Sequence, residues 1–413
     1  MRGETVLALT EKSNHNSDQR EAGRLQVLDV IRAAGTIARI DIAKATGFSP
    51  ATVTVITSQL LETGLIEEIT PEPSTDAKPS TRRGRPRVAL RLRGKAHLIA
   101  GLKVAHNMVS VLILDFEGKD VLSHEMPLPE PRMATPHFCD TMYEAVNQAC
   151  AKGGLSINDL SGIGVALAGL VDAKRRFIYW SSSLTDRNVN LGAALDAAMP
   201  CPVFLDNDAN LVAKAEHLFG EGRNIDDFIV VTIEHGVGMG IVIDGEIYRG
   251  TRGCGAEFGH TKVQLEGALC QCGQRGCLEA YVGNYALLRE ANIMDRETPL
   301  TDVPTLFKRA QSGDTMARSI FDRAGRMFAM GLANLVNIFD PKLIILAGER
   351  LSFDYLHADT VLESMRQSVV QVDAPLPDVR VHAWGDHMWA KGAAAYAIEQ
   401  VSALSVREVP VDA

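Results

Sequence analysis

The sequence predicts a chain of several domains: a three-helix head carrying a two-stranded wing, then two α/β lobes facing a cleft. Residues 21–95 hold three short helical patterns ended by glycines, and two β-type runs. From residue 96 strands alternate with helices, twice over, as in two layered α/β units. The second unit also carries a glycine-rich polar segment, Glu257-Phe-Gly-His260 and then Cys270-Gln-Cys272-Gly-Gln-Arg-Gly-Cys277-Leu-Glu279. The expected divisions are a disordered stretch 1–20, the head 21–95, a first lobe 96–220, a second lobe 221–400 and a tail 401–413.

In the head, Leu25, Val27, Leu28, Val30 and Ile31 recur at helical spacing and stop near Gly35. A short second helix, Ile40–Thr46, is closed by Gly47. Ser49 is a candidate N-cap and Pro50 takes the first helical position of a third helix, which stops at Gly64. Two helices joined through a glycine turn, with the small Ala43 where they cross, make a helix-turn-helix. Ser49, Thr52, Thr54 and Ser58 are the polar residues of its recognition helix. Leu65–Ile69 and Val88–Leu92 read as the strands of a wing. The loop between them ends in Arg82-Arg83-Gly84-Arg85-Pro86-Arg87. Arginines around Gly-Arg-Pro can enter a narrow A·T-rich minor groove, where negative potential concentrates. A basic run taken alone is equally a solvated loop. In series, the three features point to double-stranded DNA as a partner, with Ser49, Thr52, Thr54, Arg82, Arg83, Arg85 and Arg87 as contact residues.

The lobes follow in order. Leu98–Val104 and Met108–Asp115 are apolar β-type runs, followed by a polar loop, a helix Thr135–Lys152 and a strand Gly162–Gly169. The short strand Val203-Phe-Leu205 delivers Asp206-Asn207-Asp208-Ala209-Asn210 ahead of a helix, Leu211–Leu218. The second lobe repeats the scheme: strand Phe228–Glu234, glycine turn Gly236–Gly240, strand Ile241–Asp244, the cysteine segment, a helical region Thr305–Phe339 and strand Leu343–Ala347. Ligands of such folds sit at the carboxyl ends of strands, which is where Asn207 and Asp208 lie.

His260, Cys270, Cys272 and Cys277 form a one-nitrogen, three-sulfur set suited to tetrahedral zinc with a structural role. Gly273 and Gly276 allow the loop to fold tightly enough for the thiolates to converge. The competing reading is that these are small buried hydrophobes, as free cysteines often are. Glu257 and Glu279 flank the set, and a pinned loop carrying two acids and a histidine suits a polyhydroxylated ligand.

Composition narrows the class. The chain has 413 residues, 46% hydrophobic and 23% charged, ordinary for a globular protein. No apolar run approaches the roughly 20 residues that span a bilayer, and the first twenty residues lack the apolar core of a signal peptide. Seven cysteines, an odd number, argue against a disulfide framework and for a reducing cytoplasm. The net charge of −9 is uneven: residues 1–95 hold 15 basic against 11 acidic side chains. An acidic body with a basic head suits a polyanion at the head.

The pattern Glu257-x2-His260-x9-Cys270-x-Cys272-x4-Cys277-x-Glu279, with Gly164–Asp172 and Asp206-Asn-Asp-Ala-Asn210, resembles the ROK family (repressors, open reading frames, kinases). The resemblance spans residues 20–400 and is strongest to the family's sugar-responsive repressors. It implies an actin-like ATPase architecture of two ribonuclease-H-like lobes behind a winged helix-turn-helix. It also implies sugar binding by Asn207, Asp208, Glu257, His260 and Glu279, Asp208 matching the catalytic base of the family's kinases. A structural role, such as Glu279 capping a helix, is the minority alternative for any one of these residues, and a far smaller one for all five together.

The departures are as informative. Where the kinases carry Asp-x-Gly-Gly-Thr, this chain reads Lys103-Val-Ala-His106-Asn107, without the carboxylate or the glycines whose amides would cradle phosphates. Near the expected adenosine site Ala347-Gly348-Glu349 adds an acid that repels phosphates. The expectation is therefore a non-enzymatic, sugar-controlled DNA-binding regulator, a homodimer or homotetramer. Residues 180–190 are expected to shape sugar selectivity. The alternatives are a bifunctional sugar kinase, resting on Asp208 and the second glycine turn, or a regulator that answers to a partner protein.

Overall fold

The computed structural model describes residues 19–69, 88–105, 107–295, 299–348, 355–356, 359–370, 375–382 and 387–408. The N-terminal stretch up to residue 18, the wing arginines Arg82, Arg83, Arg85 and Arg87, His106 and Glu349 lie outside the described residues.

The head is built as expected from its apolar spacing. Helix α1 covers residues 19–34, and strand β1 (Ile37–Ala38) leads into α2 (Arg39–Thr46). Helix α3 (Pro50–Glu62) follows, N-capped by Ser49, whose Oγ accepts from the Thr52 amide at 3.1 Å. The wing strands β2 (Ile66–Ile69) and β3 (Ala89–Leu92) pair antiparallel, and β1 adds to the free side of β3. At two residues, β1 is too short to leave a period in the sequence.

The first lobe contains β4 (Leu98–Val104), β5 (Met108–Asp115), β6 (Asp120–Pro127), α4 (Thr135–Lys152) and β7 (Leu160–Leu167). A small ribbon, β8 (Gly169–Asp172) with β9 (Phe177–Ser181), precedes α5 (Leu191–Ala198), β10 (Val203–Asn207) and α6 (Asp208–Phe219). Its sheet runs β10-β7-β4-β5-β6. The second lobe contains β11 (Phe228–Ile233), β12 (Val237–Ile243), β13 (Glu246–Ile247), α7 (Glu279–Val282), α8 (Asn284–Met294), α9 (Val303–Gln311) and α10 (Thr315–Phe339). It continues with β14 (Leu343–Gly348), α11 (Asp359–Ser368) and β15 (Asp378–Val381), and its sheet runs β13-β12-β11-β14-β15. Each lobe is an antiparallel meander whose first strand is flanked by two later parallel strands, so the two sheets share one topology.

Four expectations are corrected. The polar loop after β5 contains β6, an edge strand whose residues alternate between exposed and half-covered, which reads as loop by composition. The glycine turn Gly236–Gly240 is largely strand β12. Its glycines admit α6 instead of turning the chain: a Cβ on Gly240 would stand 2.6 Å from the Ala209 carbonyl oxygen. The helical region 305–339 is two helices, broken where Asp314 caps α10 by accepting from the Met316 and Ala317 amides at 3.0 and 3.1 Å.

The fourth correction concerns the C-terminus. Residues 388–400 were expected in the second lobe and 401–413 as a tail, but a single helix, α12 (Met388–Arg407), spans both. It lies on the first lobe's sheet, where any side chain on Gly101 or Gly164 would overlap the Ala390 or Ala393 carbonyl oxygen. The run Gly392-Ala-Ala-Ala-Tyr-Ala397 has small side chains because backbone meets backbone there. The far half of α12 carries the head. Val27, Leu28 and Ile31 of α1 share one apolar cluster with Leu112, Leu114 and Phe116 and with Ile398, Val401 and Val406. Two buried arginines of α1 stitch that junction. Arg24 Nη1 donates to the Val406 carbonyl at 3.0 Å, and Arg32 donates to the Phe116 carbonyl at 2.6 Å and to Ser402 Oγ at 3.2 Å.

Candidate functional site

Strand β10 hands over to α6 between Asn207 and Asp208. Asn207 caps the helix: Oδ1 accepts from the Ala209 amide at 2.9 Å and the Asn210 amide at 3.4 Å, while Nδ2 donates to the Gly169 carbonyl at 3.0 Å. One Nδ2 hydrogen remains for a ligand. Asp208 accepts from the Ala209 amide through Oδ1 at 3.0 Å, and from Lys103 Nζ through Oδ2 at 2.5 Å.

Lys103 is the residue whose role sequence reasoning missed. It rises from β4 with its ammonium 3.8 Å from Glu234 Oε2 and 5.1 Å from the centre of the Trp389 ring. Burial is the largest influence on its pKa and lowers it, but Asp208 and Glu234 together outweigh that and leave it raised. A lysine inside the apolar run Leu98-Ile-Ala-Gly-Leu-Lys-Val was the available signal, because an unpaired ammonium is almost never buried. Asp206 was also missed. Fully buried, it accepts from Arg249 Nε at 2.7 Å and Asn210 Nδ2 at 3.1 Å, tying the second lobe to the strand that carries the site.

The acids of the cysteine segment face the same cleft. Glu257 precedes the short helical turn Phe258–His260, and its carboxyl is pushed up to about 7 by burial, with Asp208 and Glu279 adding repulsion. Glu279 opens α7, but its carboxylate does not cap that helix. It accepts from the Val237 amide at 3.3 Å and from the Tyr285 hydroxyl at 3.3 Å. His260 sits between the two chemistries, Nδ1 standing 3.7 Å from Cys270 Sγ and Nε2 3.9 Å from Glu257 Oε2.

The metal set converges as its spacing implied. The ligand atoms of His260, Cys270, Cys272 and Cys277 lie within 4.8 Å of one another. Zinc–sulfur bonds of about 2.3 Å and zinc–nitrogen bonds of about 2.0 Å give tetrahedral edges of about 3.8 Å between sulfurs and about 3.5 Å between sulfur and nitrogen. The Cys272–Cys277 separation is 3.7 Å and the His260–Cys270 separation is 3.7 Å. These distances fit one tetrahedral ion and are far too long for a disulfide, near 2.0 Å. Lys262 Nζ lies 2.9 Å from Cys277 Sγ, so an ammonium stands against this sulfur.

The segment expected to tune selectivity adjoins Asn207, since Gly169, which accepts the Asn207 amide, pairs with Ser181. Ser181 itself is buried and donates to the Ala168 carbonyl at 2.8 Å, which holds the turn. Ser49, Thr52, Thr54 and Ser58 lie exposed on α3 in the head. No helix among the described residues is long and apolar enough to cross a membrane.

Comparison with known proteins agrees with both halves of the chain. A winged helix-turn-helix DNA-binding profile matches residues 24–67, and the ROK family profile matches residues 99–400. The DNA-binding transcriptional dual regulator NagC of Escherichia coli K12 is 31% identical over 382 residues, covering 89% of this chain and 90% of that protein. The xylose repressor of Bacillus subtilis 168 is 28% identical over 335 residues, 81% of this chain and 82% of that one. A ROK family transcriptional regulator, a homologue of the Escherichia coli Mlc protein, shares the fold over 94% of this chain and 99% of its own, with a TM-score of 0.79 at 23% identity. A ROK family glucokinase from Streptomyces griseus, solved with glucose and AMPPNP, matches 73% of this chain and 99% of its own with a TM-score of 0.63 at 28% identity. Two actin-like lobes behind a winged head, and a sequence match across nearly all of both, establish that this chain belongs to the ROK family.

Proposed function

We propose that the protein is a cytoplasmic transcriptional repressor of sugar-metabolism genes, released from its DNA operator by a sugar bound between the lobes. The observation that carries the reading is the Lys103–Asp208 pair, in a cleft lined otherwise by Glu234, Glu257 and Glu279. In a phosphoryl-transfer site the base must be free to take a hydroxyl proton, and the phosphates need amides and a metal. Here an ammonium 2.5 Å away holds that carboxylate as an acceptor. Asp208, Glu257 and Glu279 then serve as acceptors for vicinal hydroxyls, and Asn207 and His260 Nε2 as donors. Zinc held by His260, Cys270, Cys272 and Cys277 is structural: it fixes the loop that presents Glu257, His260 and Glu279. The head, bounded at about residue 95, binds duplex DNA through Ser49, Thr52, Thr54 and the wing arginines Arg82, Arg83, Arg85 and Arg87. A homodimer or homotetramer supplies two heads for a two-fold operator.

The test is a thermal-shift screen of zinc-loaded protein against free sugars, sugar phosphates and ATP, followed by DNA release with each hit. A ligand at about 100 times its dissociation constant adds roughly 2.7 kcal/mol. Stabilisation by a sugar that also lowers DNA affinity, with none by ATP, is the expected result. ATP-dependent phosphorylation of a sugar, abolished by Asp208→Asn, would replace this reading with a kinase. Release from DNA only in the presence of another protein would replace it with a partner-controlled regulator.

A further inference from the structure

The outward face of α3 carries unusual chemistry for a DNA-reading helix. Val53, Ile56, Thr57 and Leu60 are buried in the head, which turns Ala51, Thr52, Thr54, Val55 and Ser58 outward. Val55 is the large apolar residue of that face, 56% exposed. From Pro50 to Leu61 the helix has no charged residue, and its one amide, Gln59, is committed to Arg24 at 3.0 and 3.1 Å. The side chains that pair with guanine (Arg, Lys) or adenine (Asn, Gln) through two hydrogen bonds are thus absent from the exposed first two turns. The hydroxyls are partly spent as well. Ser49 Oγ and Thr52 Oγ1 are 2.8 Å apart, and Thr54 donates to the Pro50 carbonyl at 2.8 Å.

Three of these outward residues, Thr52, Thr54 and Val55, are β-branched. On an exposed helix face such residues lower helix propensity and gain no packing in return, where Lys, Glu or Ala would be favoured. What they share with Ala51 is a methyl group presented to solvent. The base-edge group that matches a methyl is the thymine 5-methyl in the major groove.

We infer that α3 reads thymine methyl groups in the major groove, with Val55 and Ala51 as the specificity-determining contacts. This rests on the DNA-binding reading above and specifies its chemistry. Ala51 and Val55 are four residues apart, one above the other on the helix, so they meet neighbouring base pairs. Glu62 closes the helix with an acid that phosphates repel, which leaves the N-terminal two turns to enter the groove, the end of a recognition helix that contacts bases.

The experiment uses the full-length, zinc-loaded chain. Duplexes it retains from a random-sequence library are remade with single thymines replaced by uracil, which removes one methyl and no hydrogen-bonding group. Affinities are read by fluorescence anisotropy. At one or two positions per half-site uracil is expected to weaken binding about fourfold, the worth of one buried methyl. Val55→Ala, which keeps a helix-favouring residue, is expected to remove that sensitivity at one of them. Retained duplexes that bind equally well with uracil at every position would overturn the inference and leave DNA binding standing. Uracil sensitivity unchanged in both Val55→Ala and Ala51→Gly would also overturn it. Failure to retain any duplex would overturn this inference and the DNA-binding reading together.

Discussion

Arg32 offers the sharpest test of how the head is held. It is 9% exposed, donates to the Phe116 carbonyl and to Ser402, and lies with its guanidinium 5.0 Å from the centre of the Phe116 ring. Burial lowers its pKa to about 10 and raises that of neighbouring Asp29, which Arg32 offsets only in part. Arg32→Ala strands the buried Phe116 carbonyl, at about 1–3 kcal/mol. Loss of the ring contact adds about 0.5–1 kcal/mol, and the emptied space of the stem about another 1 kcal/mol. The total, about 2.5–5 kcal/mol, falls on the junction between α1 and α12. At about 1.4 kcal/mol per decade, amide exchange of residues 19–34 is expected to accelerate by roughly 60-fold or more if it proceeds through undocking of the head. Arg407→Ala is the control: its pair with Glu21 at 3.2 Å is largely exposed, so it is worth at most about 1 kcal/mol, less than about tenfold in exchange. Equal exchange rates for wild type and Arg32→Ala, measured by mass spectrometry of peptides from α1, would refute the shared core as the clamp.

Three further outcomes follow from the geometry. Cys272→Ser is expected to weaken zinc by more than the about 10–100-fold that changes outside a ligand set cost, and to abolish the sugar-induced thermal shift; metal analysis of the purified variant checks it. Gly164→Ala forces a methyl against the Ala393 carbonyl and is expected to cost about 1–3 kcal/mol, read as a lower denaturant midpoint, because α12 must retreat from the sheet. His97, between Ser161 Oγ at 2.8 Å and Ser405 Oγ at 3.0 Å, has its pKa lowered by burial. An unfolded histidine takes up its proton near about pH 6.5 while the folded ring resists. Stability should therefore be fully present above that pH and decline as acid brings the pH down toward the folded pKa. His97→Gln should flatten the decline in a pH series of melts.

Much of this was legible where the chemistry is local. The capping serine, the glycine-ended helices and the spacing of one histidine and three cysteines each act over short stretches of chain, and each reappears as read. The errors fall where distant chain decides. Gly236–Gly240 has a turn's composition, yet it is strand because α6 lies on it. Residues 401–407 have no strong apolar period of their own, and become helix by docking between the first lobe and the head. Lys103 looked only like a lost carboxylate. Its partner Asp208 is 105 residues away, so nothing in the strand shows what the ammonium replaces.

How a ligand in the cleft reaches the head is a question about two helices. Helix α6 begins at Asp208, and its last residue, Phe219, packs on the head cluster. Helix α12 carries Trp389 over Lys103, crosses α6 where Gly392 meets the Leu211 carbonyl, and ends beneath Arg24 and Arg32. Packed continuity alone is not coupling, which needs two arrangements that the ligand distinguishes. Lys103 supplies a candidate pair: it is bonded to Asp208 at 2.5 Å and stands only 3.8 Å from Glu234 of the other lobe. On the proposed function, a sugar hydroxyl on Asp208 would weaken the first contact and favour the second, which would draw the lobes together and move Trp389 with α12. Saturating sugar is then expected to change amide exchange in residues 388–407 and 19–34 of wild type, and to leave it unchanged in Lys103→Met. If sugar lowers DNA affinity while exchange in both segments stays constant, each head moves rigidly with its own body, and the signal lies in the spacing between subunits.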